Sequence, residues 1–276
     1  MRKKLICCHL TIAMAKMNLI LKIATEIPVK RFLLPLALIG LFAFSASAQE
    51  FNPAINKDSL LQTIYKKLGT EERIREFKTH YNAADKSGKE FLLFMGSMPS
   101  SSKKELIANI DSNYTRIQNL ISSYKKLVPK GFIVSIEFQP ANNVISARES
   151  IDMRIQYQNP ENFNSLETDQ KWDMPYGSAE LKRMCGRLNW NEQTLKTIKQ
   201  LLDQANCISI ENDTIPEIGF SRSSMAKYSY LIFERDLDKA QIEKYNNGCS
   251  YIYYKKNIVL EFAGGAVGPQ CFPEDE

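Results

Sequence analysis

The chain has 276 residues, 44% of them hydrophobic and 24% charged, with 36 Lys and Arg against 31 Asp and Glu. That balance excludes the disordered, collagenous and fibrous classes. The formal net charge of +5 is unevenly held: seven cations and one carboxylate, Glu26, precede residue 49, and the remainder carries 29 cations and 30 anions. A nearly neutral body lacks the electrostatic footprint of a nucleic-acid binder, so no nucleic acid is expected as a partner.

Residues 1–48 read as a leader. Lys30-Arg31 precede thirteen uncharged residues, Phe32 to Phe44, and then Ala46-Ser47-Ala48. A basic start, a short apolar run and a small-x-small end make a secretory signal peptide. Thirteen helical residues cover only about 20 Å, short of a bilayer core of about 30 Å. Cleavage after Ala48 is expected to leave Gln49 at the N-terminus, with no membrane span afterwards and a periplasmic or secreted location. The 28 or so residues before the signal fit a start site assigned too early. Cys185, Cys207, Cys249 and Cys271 remain after cleavage, an even number for an oxidising compartment, and all four are expected to form disulfides. Cys185 and Cys207 flank a helix, so a bond between them is geometrically strained. That leaves Cys207–Cys249 with Cys185–Cys271, or Cys207–Cys271 with Cys185–Cys249, the second being favoured.

In chain order, a short helix with Leu60, Leu61, Ile64 and Leu68 inward is capped by Asp58 or Ser59 and closed by Gly69. A second opens at Thr70, carries Ile74, Phe77 and Tyr81 on one face, and ends before Gly88. The apolar run Phe91 to Met95 predicts a buried strand. Ser102 and Glu105 form a capping box, and Leu106, Ile110, Ile117, Ile121, Tyr124 and Val128 make one stripe of a long helix. Strands are predicted at 132–138 and 150–157. The polar, proline-containing stretch 159–178 reads as a linker or loop. After it come a helix at 179–185, a capped helix from Asn189 to Ala205, strands at 207–211, 217–221 and 228–233, a short helix or loop at 236–245, and a hairpin of 249–254 with 258–262.

Both flanks of the linker, 49–158 and 179–276, follow a helix with strands. At an offset of 74, residues 120–150 align with 194–224 at 7 identities in 31 positions, including Ser135-Ile136-Glu137 on Ser209-Ile210-Glu211 and Arg148 and Ser150 on Arg222 and Ser224. The expected fold is α+β, with two helix-covered antiparallel sheets in a tandem αβββ duplication.

Catalytic signatures are sparse. His80 is the one histidine after residue 48, so a metal site or catalytic triad built on histidines is not expected. Ser100 to Lys103 and Ser224 to Lys227 have the Ser-x-x-Lys spacing of penicillin-binding enzymes, but no Lys-Thr-Gly follows, and a helix cap and a turn explain them. The Gly264 to Gly268 run lacks the Lys-Ser/Thr of a phosphate loop. Asp111 to Asn113 starts like a calcium loop that Arg116 then breaks. No cofactor and no metal are expected. The remaining signal is tyrosine: Tyr228 with Tyr230, and Tyr251 with Tyr253, each share a strand face that could stack on a sugar or pack on a protein. The expected function is therefore a non-enzymatic binding or interaction module with a protein or carbohydrate partner. The alternative is a cell-envelope hydrolase using carboxylates or a serine, for which carboxylate pairs have no sequence spacing rule.

Overall fold

The computed structural model describes residues 51–145, 147–159, 165–263 and 271–273. The leader and the Gly264–Gly268 run lie outside these residues. Three helices open the described chain: α1 (Lys57–Leu68), α2 (Glu71–Ala83) and α3 (Lys86–Ser97). Asn56, rather than Asp58 or Ser59, caps α1. The predicted strand at 91–95 is the middle of α3. Asp85 starts that helix by accepting from the Gly88 amide at 2.7 Å, and a short buried apolar run looks alike in either conformation. Gly96 lets α3 close on α1, because a Cβ there would come within 2.9 Å of Ile64.

The long helix α4 (Lys103–Leu127) has both bonds of the Ser102–Glu105 capping box. It leads into β1 (Phe132–Gln139), β2 (Ser150–Gln158) and β3 (Leu166–Pro175). Helices α5 (Ala179–Arg187) and α6 (Glu192–Ala205) follow. Then come β4 (Ser209–Glu211), β5 (Glu217–Ser223), β6 (Ala226–Ile232), α7 (Lys239–Lys244), β7 (Tyr251–Lys255) and β8 (Ile258–Ala263). The segment read as a linker thus contains a ten-residue strand. Its residues are mostly exposed, so it lacks the apolar alternation by which a half-buried strand is recognised.

All eight strands form one antiparallel sheet in the order β3-β2-β1-β4-β5-β6-β8-β7, where two sheets were expected. The reason lies at the centre: β1 pairs with β4, Ile136 facing Ile210 and Ser135 and Glu137 facing Glu211 and Ser209. The two matching Ser-Ile-Glu triplets are therefore each other's partners, and α4 packs against α6 above them. The offset of 74 does not extend past these strands. Asp152 faces Glu137 and Glu217 faces Glu211, a spacing of 65 rather than 74, so Arg148 and Ser150 do not take the places of Arg222 and Ser224.

One sheet face is covered by α4, α5 and α6 over a continuous core that includes Ile110, Tyr124, Ile136, Met153, Met184, Ile198, Tyr230 and Leu260. Trp190 packs its ring edge-to-face on Tyr124 and donates to Leu127 O at 2.8 Å, satisfying a carbonyl at the end of α4. A small second cluster, Phe233, Leu237 and Val259 with Ile242, Tyr245, Tyr251 and Tyr253, lies on the other face beside α7. Among the described residues no helix is long and apolar enough to cross a membrane.

Candidate functional site

The four tyrosines singled out in the sequence do not form one face. Register sets Tyr228 opposite Phe262 and Tyr230 opposite Leu260, both on the helix side, but Tyr251 opposite Glu261 and Tyr253 opposite Val259, on the other side. Tyr228 and Tyr230 are 1% and 0% exposed. Tyr230 donates to Leu106 O at 2.7 Å and accepts from Asn109 Nδ2 at 3.2 Å. Tyr228 packs on Phe262 and Phe272. These two are core, because polar hydroxyls with partners can be buried. Tyr251 and Tyr253 are half-buried against the second cluster, and burial pushes the Tyr251 hydroxyl up to about 12.

The cysteines also depart from expectation. Cys249 is joined to Cys271, with Cα atoms 3.9 Å apart, while Cys185 and Cys207 are buried free thiols. Neither favoured pairing is present. Burial pushes the Cys207 thiol up to about 12, which keeps it protonated and inert.

His80 lies on exposed α2, 4.0 Å from Glu76. Asp111 accepts from Tyr254 and Lys255 at 2.8 and 2.5 Å, so it straps α4 to β7.

The face of the central strands turned away from α4, α5 and α6 carries a charged ladder that sequence reasoning missed. Arg222 Nε donates to Glu137 at 2.6 Å, and Arg154 to Glu211 at 2.5 Å. Lys227 reaches Glu217 at 3.0 Å, Glu137 at 3.8 Å and Ser209 Oγ at 3.3 Å. Its stem crosses β5 at Gly219, where a Cβ would come 3.0 Å from Lys227 Cδ. Ser209 and Lys227 have the make-up of a serine–lysine dyad, but the electrostatics oppose it. Burial works against the Lys227 ammonium, yet Glu217 and Glu137 outweigh burial and hold its pKa above the ordinary value, so the amine stays charged and cannot act as a base. Glu261, next along the face, is pushed up to about 7 by burial and then by the Glu217 charge, and its Oε2 is buried without a hydrogen-bond partner.

The second feature is the β3 edge. Leu166 and Trp172 are 64% exposed and Tyr176 48%. These are three of the four exposed large apolar side chains among the described residues. A bulge sets Trp172 and Asp173 together against Asp152, and Asp173 takes a left-handed conformation with φ 53°. The backbone phase follows from Asn159, whose amide donates to Ser165 O at 3.0 Å. Counting from that pair, Glu167, Asp169 and Lys171 turn their backbone groups toward β2, and Leu166, Thr168 and Gln170 turn theirs outward. The opposite edge differs. There the outward amides of Tyr251 and Tyr253 donate to Asn247 Oδ1 and Asn246 Oδ1 at 3.0 and 3.1 Å. Among the described residues no side chain does this for Leu166, Thr168 or Gln170.

On the helix side of β3, Asp169 accepts from Arg183 at 2.6 and 3.1 Å, and Lys171 lies 3.5 Å from Glu180. These contacts anchor the strand to α5 and hold its backbone in place. The signal in the sequence was the period-two set Leu166, Thr168, Gln170 and Trp172, masked by the charged residues between them. Searches against family models, curated proteins and solved structures found no match to this chain.

Proposed function

We propose that the chain is exported and acts as a non-enzymatic interaction module that binds an extended polypeptide along β3. The observation that carries this reading is the β3 edge itself: outward backbone groups that no side chain among the described residues caps, beside exposed Leu166 and Trp172. The bulge at Trp172 and Asp173 and Pro175 blunt the C-terminal end of this edge, and Asn246 and Asn247 cap the outward amides at β7, whereas among the described residues no side chain does so from Leu166 to Gln170. A partner strand would supply main-chain hydrogen bonds, and Leu166 and Trp172 would supply apolar contact. Main-chain pairing favours a protein over a carbohydrate partner. The signal-like leader and the Cys249–Cys271 bond support export into an oxidising compartment. The serine form of the hydrolase reading is disfavoured, since Ser209 faces a Lys227 amine held charged by Glu217 and Glu137.

The test is photo-crosslinking in the exporting cell, with benzoylphenylalanine at 166, at 172 or, as a control, at exposed Lys196 on the outer side of α6. A single adduct of defined mass from 166 and 172, and none from 196, is the expected result. Equal labelling at all three would remove the basis for a specific edge.

The same reading includes a duplication. The Ser135-Ile136-Glu137 and Ser209-Ile210-Glu211 triplets pair about a local two-fold axis. Each central glutamate is bridged by an arginine from the opposite half, Glu137 by Arg222 and Glu211 by Arg154. Two copies of an αβββ unit joined through their first strands would have this arrangement.

A further inference from the structure

Resting on the reading of β3 as the binding edge, we infer that its partner is a second copy of this chain, paired antiparallel with β3 about a two-fold axis at Asp169. The support is the self-complementarity of the strand. Antiparallel pairing about Asp169 sets each residue against the one equally far on the other side. Leu166 then faces Trp172 of the copy, Glu167 faces Lys171, and Thr168 faces Gln170, each pair occurring twice.

Three independent features agree with that register. Thr168 and Gln170 both turn their backbone groups outward, so their pairing is a hydrogen-bonded one, as antiparallel geometry requires. Glu167 and Lys171 then form the close, non-hydrogen-bonded pair, where opposite charges stabilise most. Leu166 and Trp172, the two most exposed large apolar side chains among the described residues, cover each other on the face away from α5. Neighbouring registers lose part of this match: an axis at Thr168 sets Glu167 against Asp169, and an axis at Gln170 pairs Asp169 with Lys171 but sets Trp172 against Thr168 and leaves Leu166 opposite the far side of the bulge. The one like-charge contact at the chosen axis is Asp169 with its own copy. Each of those carboxylates is already held by Arg183, and Arg187 lies 3.5 Å away, so the pair is neutralised from the helix side. The bulge at Trp172 and Asp173 and the proline at 175 end the pairable stretch. The product is a continuous sheet across two chains.

The experiment uses two single variants of the chain without its leader, Thr168→Cys and Gln170→Cys, under mild oxidation with oxidised glutathione. Hydrogen-bonded antiparallel pairs hold Cα atoms about 5.5 Å apart, within disulfide range. The native thiols at 185 and 207 are buried. Each variant alone is expected to stay uncrosslinked, and the equal mixture to give a disulfide-linked dimer. Light scattering of the unmodified protein at about 100 µM, above the micromolar range of small interfaces, is expected to give the mass of two chains. A crosslink in Thr168→Cys alone would overturn the register. A one-chain mass with no crosslink in the mixture would overturn self-pairing. In that case, an adduct from position 172 to a different protein in the exporting cell would leave the edge reading standing, and its absence would remove both.

Discussion

Glu137 on β1 and Arg222 on β5 meet at 2.6 Å across the centre of the sheet, with Glu137 almost wholly buried. Each comes from a different half of the fold, and Arg154 and Glu211 repeat the contact in reverse. The face turned away from α4, α5 and α6 is therefore held together by charge pairs where the helix-covered face is held by apolar packing. Burying an ion costs several kcal/mol unless its partner stays in place.

Removing one partner should be worse than removing both. Arg222→Met is expected to destabilise the fold by about 3 kcal/mol, since it leaves the buried Glu137 carboxylate with the neutral Gln139 amide at 2.9 Å and the more distant Lys227 at 3.8 Å. Glu137→Met with Arg222→Met should recover much of that loss. Urea unfolding of the two single variants and the double variant measures the coupling, and additive effects would show that the pair does not act as a unit.

Glu261 gives a pH dependence of defined sign. Its folded pKa is raised to about 7, first by burial and then by the Glu217 charge, while an unfolded glutamate titrates near 4.3. Below that range the carboxyl is protonated in both states and contributes nothing. As pH rises from there through about 7, the folded state binds more protons than the unfolded state, so stability falls. Glu261→Gln removes this loss. The variant should gain on the parent by on the order of 3 kcal/mol above pH 7 and converge with it near pH 4. Melting temperatures across that range decide it, and a gap that widens toward low pH would refute the assignment.

The Cys249–Cys271 bond closes a loop with a sequence separation of 22, so Cys249→Ser with Cys271→Ser should cost about 3 kcal/mol. Peptide mapping without reduction should recover the 249–271 linkage. In the chain without residues 1–48, alkylation should find two further thiols, at 185 and 207, only after unfolding.

Much of this fold was legible where local signals agree. The capping box at Ser102 and the stripe from Leu106 to Tyr124 define α4, and the alternation of Phe132 to Phe138 defines β1. Other parts depend on contacts no single segment shows. Phe91 to Met95 is helical because Asp85 caps it and Ile64 packs on it. β3 escaped notice because an edge strand with polar residues on both faces has no apolar period. The tyrosine parity within each strand was right, but which face is covered depends on the β6-β8-β7 register. The disulfide was missed for a different reason. Requiring all four cysteines to pair meant that excluding Cys185–Cys207 also excluded Cys249–Cys271.

The core hydroxyl of Tyr230 bonds to Leu106 O and Asn109 Nδ2 between β6 and α4. Tyr230→Phe removes the hydroxyl's bond to Leu106 O and one of the acceptors of Asn109 Nδ2, which also reaches Ala205 O and Asn206 O, and should cost about 1 kcal/mol, with the fold unchanged by circular dichroism. A neutral result would mean that α4 does not depend on this contact.

The central claim, that β3 binds through its outward backbone, is tested most directly by Thr168→Pro. Its amide faces away from β2, so a proline there removes no hydrogen bond within the sheet but blocks an incoming strand. The measurement is photo-crosslinking from position 172 in the exporting cell, with and without Thr168→Pro. The account predicts an adduct that the proline abolishes while the melting temperature stays within a few degrees of the parent. An adduct of undiminished yield in the proline variant would contradict it.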